Sequence, residues 1–117
     1  MKINITQLLS VFDELLPLSD EEQAIYWFKF SRKDDLYITL LVSVYENTAN
    51  ISVYNNPNAN IAIASFHISN CLSIEVLDEQ KKCIEILSGK NEGRCFVALL
   101  ADTILEYDSD PKKSHLS

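Results

Sequence analysis

The sequence predicts an α+β protein, a two-layer sandwich in which a six-stranded antiparallel meander sheet carries an N-terminal and a C-terminal helix on one face. Three observations predict it. Residues 36–46 alternate with period two: Leu36, Ile38, Leu40, Val42 and Val44 are apolar, while Tyr37, Thr39, Leu41, Ser43 and Tyr45 are mixed. A strand with one face in a core and the other half wet requires that pattern. Residues 5–16 and the stretch from Glu92 to Tyr107 instead carry apolar side chains at helical spacing. Two amphipathic helices need an apolar surface, and one face of a sheet supplies it.

Taken in order, Asn4 followed by Gln7 forms an N-cap pattern. Ile5, Leu8, Leu9, Phe12, Leu15 and Leu16 then share one helical face until Pro17 ends the helix. Each of those side chains, once buried, contributes roughly 1.5–3 kcal/mol before entropy is subtracted. Ser19 with Glu22 repeats the capping pattern and predicts a helical turn. Residues 24–31 are aromatic-rich and alternating, which favours a strand. The polar run 32–35 turns into the central strand, and 46–50 makes the next turn before 51–55 returns. Pairing 46 with 51 sets Val44 opposite Val53 and Ser43 opposite Tyr54, matching the apolar faces.

Residues 55–60 are a polar, asparagine-rich connection. Residues 61–68, 72–77 and 83–87 read as three further strands, with the alanine-rich 61–65 open to a short helix instead. Gly89 and Gly93, the only glycines, bracket a loop before the second helix. On that helix Phe96, Leu99, Leu100, Thr103, Ile104 and Tyr107 share a face. Residues 1–108 form one domain, and the polar 109–117 are a flexible tail.

Ten basic against seventeen acidic residues give a net charge of −7. That charge repels nucleic acid and anionic lipid and draws in basic partners. Asp13 and Glu14 interrupt the N-terminal apolar character, so the start of the chain fits neither a secretory signal nor a membrane span. Cys71, Cys83 and Cys95 are odd in number, widely spaced and set in apolar stretches, which points to core thiols in a reducing, cytoplasmic setting.

No equipment for catalysis stands out. His67 is the only histidine outside the tail, beside Phe66 and Ile68 on a strand, where packing is its ordinary role. No Cys-x-x-Cys or His-x-x-x-His pair offers metal ligands, and two distant glycines cannot cradle a phosphate. A non-enzymatic protein without cofactor or metal is the expectation.

The acidic residues sort by structural need. Asp20, Glu21 and Glu22 suit a first helical turn, where the macrodipole favours anions. Asp102, Glu106, Asp108 and Asp110 do not: on the second helix Asp102 and Glu106 are an i,i+4 like-charge pair at the unfavourable pole. They are either a solvated end or a binding surface. Asp34 and Asp35 sit in a turn beside Arg32 and Lys33. On the outer sheet face Tyr37, Tyr45 and Tyr54 lie with Thr39, Leu41, Ser43 and Ser52, joined by Trp27 if the first hairpin pairs 28 with 38. Tyrosine and tryptophan on a half-polar face are interface anchors unless another element covers them.

This profile over the whole chain resembles an immunity protein of a bacterial toxin system, such as contact-dependent growth inhibition. The resemblance implies a cytosolic inhibitor that binds the basic, often nuclease, domain of its cognate toxin one to one. Carboxylates would stand in for phosphate, with Asp102, Glu106 and Asp108 foremost and Asp34, Asp35, Tyr45 and Tyr54 beside them. The order of residues 5–54 and the final helix from Glu92 is also similar to class I type III secretion chaperones, which would imply a homodimer wrapping an effector segment. Residues 55–70 depart from that family, which carries a helix there.

Overall fold

The computed structural model describes residues 1–16, 19–56, 59–89, 93–102 and 104–108, with Asp108 described in its backbone only. In chain order the elements are β1 (Lys2–Ile3), α1 (Ile5–Val11), β2 (Glu14–Leu15), β3 (Ile25–Ser31), β4 (Tyr37–Ser43) and β5 (Thr48–Tyr54). They continue with β6 (Ala64–Ile68), β7 (Cys71–Asp78), β8 (Cys83–Ser88), β9 (Arg94–Ala98) and β10 (Leu105–Asp108). The strands form two five-stranded sheets, ordered β2-β3-β4-β5-β6 and β1-β7-β8-β9-β10. The α+β fold is therefore corrected to a mostly β fold, with two sheets and one short helix among the described residues.

Each departure has a local cause. The first helix begins as predicted, with the Gln7 N–H donating to Asn4 Oδ1 at 3.1 Å. It stops at Val11 because Phe12 turns extended, at φ −88° and ψ 153°. The chain then pairs with β3: the Asp13 N–H donates to the Lys29 carbonyl at 2.9 Å and the Leu16 N–H to the Trp27 carbonyl at 2.7 Å. Leu15 thus packs beside Phe28 across a strand pair, not on a helix. The turn after Ser19 is capped by Asp20, whose Oδ1 accepts from the Glu22 N–H at 3.0 Å.

The second helix is absent. Cys95, Val97 and Leu99 are all buried while Phe96 and Ala98 are only partly so, which is the two-residue period of a strand. Residues 94–98 accordingly pair with β8, and residues 105–108 return along β9. Gly89 and Gly93 therefore lie on either side of a strand-to-strand connection. The chaperone likeness loses the closing helix on which it rested.

The meander also divides. At Asn70 the backbone takes φ 52°, a left-handed conformation that asparagine tolerates, and the chain leaves the first sheet for the second. Residues 61–63 are neither helix nor strand, and β6 starts only at Ala64.

Within the first sheet β4 is the central strand, paired with β3 and β5. Val53 faces Ile38 rather than Val44, six residues further back along β4. Asn47, at φ 56°, closes a tighter turn than the alternation of 36–46 implies. Because the shift is even, every side chain that stays within β4 and β5 keeps its expected face. Phe28 likewise pairs with Leu40 rather than 38, again an even step, so Trp27 stays on the outer face opposite Leu41.

The two sheets share one core. Phe28, Ile38, Leu40, Val42 and Ile51 come from the first, Ile74, Ile84, Ile86, Cys95 and Val97 from the second. Leu8, Val11 and Phe12 join from α1, which contacts both β3 and β7 and closes that side of the sandwich. The rings of Phe12 and Phe28 pack tilted at 37° to each other, with centroids 5.6 Å apart. On the opposite side Phe66 of β6 meets Tyr107 of β10, with centroids at 5.5 Å. The remaining faces of the two sheets point outward, away from each other.

Candidate functional site

The outer face of the first sheet is built from cross-strand rows. Tyr37 pairs with Tyr54, Lys29 with Thr39 and Thr39 with Ser52, while Trp27 pairs with Leu41 and Leu41 with Asn50. A polar ladder rigidifies the strand-to-edge half: Asn50 Nδ2 donates to Ser52 Oγ at 3.0 Å and to Ser65 Oγ at 3.3 Å. Lys29 stands between two partners, 3.8 Å from the Glu14 carboxylate and 4.7 Å from the Tyr37 ring centre. A cationic side chain over an aromatic face is electrostatically favourable. Trp27, Lys29, Tyr37, Thr39 and Tyr54 line a cleft of about 300 Å³, walled by Leu16 and by the asparagine-rich connection through Asn56 and Asn60.

At the Tyr37 end of that face, a guanidinium ties two loops together. Arg32 donates through Nη2 to Asp34 Oδ2 at 2.8 Å and through Nε to Asp34 Oδ1 at 3.2 Å. Its Nη1 reaches the other sheet's loop and donates to the Ala101 carbonyl at 2.7 Å. The turn bearing Asp34 and Asp35 is thereby fixed beside the turn bearing Asp102. Desolvation pushes the Asp34 carboxyl up, but the bonds from Arg32 and from the Leu36 N–H outweigh it and hold the carboxyl below its ordinary range. Asp35, at φ 65°, and Asp102 are exposed. Between the loops a hollow of about 460 Å³ runs past Asp13, Phe30 and Leu100, and Leu100 is 54% exposed.

The structure thus gathers part of the expected binding set and scatters the rest. Asp34 and Asp35 lie on the turn that Arg32 bonds to Ala101, the residue before Asp102, and that turn leads into Tyr37, which lines the cleft with Tyr54. Tyr45 is 74% exposed in the turn between β4 and β5, at the opposite end of the strands. Glu106 is exposed on β10, opposite Phe96, on the outer face of the second sheet. Asp108 pairs with Arg94 through the backbone, and its side chain lies outside the described residues, as does Asp110. Asp102 is in a turn and Glu106 in a strand, so their like-charge helical pairing is overturned.

Sequence reasoning missed the clamp itself, because Arg32 and Ala101 are 69 residues apart. It also missed Glu75 and Glu85, which face each other across β7 and β8, with Glu85 3.9 Å from Arg94. Strand alternation in 71–78 and 83–88 was the signal that would have found that pair.

Other chemistry is sparse. Burial pushes the Cys95 thiol up to about 12. Burial also raises Cys71 to about 11, against a weaker opposing bond to the Ser73 carbonyl. Both are inert thiols at neutral pH. Burial and then the Asp78 charge raise Cys83 as well. Among the described residues no group of three His, Cys, Asp or Glu side chains is placed to hold a metal. His67 is exposed on β6, beside Asn50. Among the described residues no helix is long and apolar enough to cross a membrane.

No protein-family model, curated protein or solved structure matches this chain.

Proposed function

We propose that the protein is an immunity-type inhibitor that binds a basic toxin domain, such as a nuclease, one to one through the Asp34–Asp35–Asp102 end of the sandwich. The observation that carries the reading is the Arg32 clamp, which spends one cation on holding two acidic turns in register. Asp35 and Asp102 are left to offer carboxylates where a nuclease expects phosphate. The neighbouring rings of Tyr37, Tyr54 and Trp27 supply rigid contact area, the residue types that dominate interface energetics. The overall charge of −7 accelerates encounter with a basic surface and makes it salt-dependent.

The test is titration calorimetry against the basic domain of a toxin, if one is encoded immediately upstream, across a salt series. Affinity falls with salt, and Asp35→Lys with Asp102→Lys weakens it by more than about a hundredfold through like-charge contact. Tyr45→Ala, at the far end, leaves affinity unchanged. Trp27, the single tryptophan, reports the event by a change in emission. Full affinity in the double charge reversal, or binding indifferent to salt, overturns the assignment.

A further inference from the structure

The two sheets end in four edge strands, and three of them are protected in the ways that prevent strand pairing. β1 is two residues long and opens on Lys2, and β2 is two residues long and carries Glu14. β10 carries Glu106 and Asp108. Short length and charge are the ordinary defences of an exposed edge. β6 has neither. It is five residues, Ala64, Ser65, Phe66, His67 and Ile68, with no Asp, Glu, Lys, Arg or Pro. Its pairing with β5 runs without a register shift, so no bulge twists it away.

The neutrality extends well beyond the strand. Residues 47–74 contain no Asp, Glu, Lys or Arg, in a chain that is 23% charged. Beside this edge, unpaired among the described residues, lie their most exposed large hydrophobic, Ile61 at 83%, then Ile63 at 58% and Tyr107 at 44%. A chain of net charge −7 meeting its own copy elsewhere brings like charges together. At β6 it does not.

We infer that two copies of this chain pair antiparallel through β6, extending the first sheet across a two-fold axis into a ten-stranded sheet. The occupant of the edge is a second copy because the edge is electrically neutral where the rest of the molecule repels itself, and because β6 is self-complementary. With the axis at Phe66, all five residues pair: Ala64 faces Ile68 of the other copy, and Ser65 faces His67. Ile61 and Ile63 flank the seam and gain apolar burial from it. A side edge is used, so the loop end proposed for toxin binding stays open in each copy.

Sedimentation velocity over a micromolar concentration series tests this with the purified chain alone. The wild type sediments at twice the 13.3 kDa chain mass. Ile63→Glu with His67→Glu, both at exposed positions, sets like charges diagonally across the seam and raises the dimer dissociation constant by more than about tenfold. Leu9→Lys, exposed on α1 at the opposite side of the sandwich, leaves the dimer intact. Hydrogen exchange on the unmodified protein gives a second readout: the amides of residues 64–68 slow as concentration rises. A wild type that stays at 13.3 kDa throughout, a dimer indifferent to the two edge charges, or β6 amides protected only by added toxin domain each overturns it.

Discussion

Replacing Arg32 separates the two things its guanidinium does, carrying charge and holding two loops at once. The side chain is 12% exposed, and its Nη1 donates to the Ala101 carbonyl at 2.7 Å. Hydrogen bonds from charged groups contribute about 1.5–3 kcal/mol, and the lower end applies here because water reaches the exposed Ala101 once the guanidinium is gone. Arg32→Ala therefore loosens the turn at 99–102 by about 1.5 kcal/mol, close to a tenfold rise in local opening. Arg32→Lys keeps the charge, yet one ammonium cannot span the carboxylate and the carbonyl together, so it opens the turn nearly as much. The assay is native-state hydrogen exchange at the Ala101 amide, which donates to the Ala98 carbonyl at 3.2 Å. A parallel titration follows Asp34, whose carboxyl rises toward its ordinary 3.8 once the guanidinium is removed. The sign is fixed: a carboxyl held low in the folded state stabilises above its unfolded value and loses that contribution as pH falls through the folded one. The difference between wild type and Arg32→Ala thus narrows in acid. Unchanged exchange at Ala101, or an Asp34 carboxyl that stays low without Arg32, refutes the clamp.

Phe28→Ala removes a fully buried ring packed against Phe12 and costs about 3–5 kcal/mol in urea unfolding; a loss under about 2 kcal/mol would mean the two sheets do not share that core. The buried thiols give an alkaline limit. Cys71 and Cys95 hold their protons to about 11 and about 12 when folded, against an ordinary 9.0. Unfolded thiols ionise first, so stability falls as pH rises past 9.0 and continues falling toward the folded values. Urea midpoints at neutral pH and at about pH 10 read this decline, and Cys71→Val with Cys95→Val flattens it; equal slopes in both proteins would contradict the burial argument.

β3 and β4 were legible because alternation in 25–31 and 36–44 has no competing period. Even the wrong turn lengths left every face within those strands correct, since both shifts were even. Residues 5–16 misled because Leu15 and Leu16 continue a helical spacing that the pairing with β3 overrides, a tertiary preference invisible to a local pattern. Residues 94–107 carried two patterns at once. The helical set at 96, 99, 100, 104 and 107 outcounted the strand set at 95, 97 and 99, in which a cysteine does the work of an aliphatic residue. Where the meander breaks was not legible at all. The left-handed Asn70 is fixed by a distant bond, the Cys71 N–H to the Asn47 carbonyl at 2.8 Å. The candidate site divides the same way. Asp34 and Asp35 are neighbours in sequence and were named together, whereas their nearness to Asp102 depends on a contact between the two sheets.

Apart from one pairing, every ladder among the described residues joins antiparallel neighbours. The exception is β1, which runs parallel to β7, Lys2 beside Ser73 and Ile3 beside Ile74. Lys2 and Ile3 therefore find their place only once residues more than half the chain away are in position, and the loop they close is the longest of any strand pairing among the described residues. Such a latch is slow to engage and, being two residues wide, quick to release. Breathing of the sandwich begins at that corner, with α1 following, long before either meander yields.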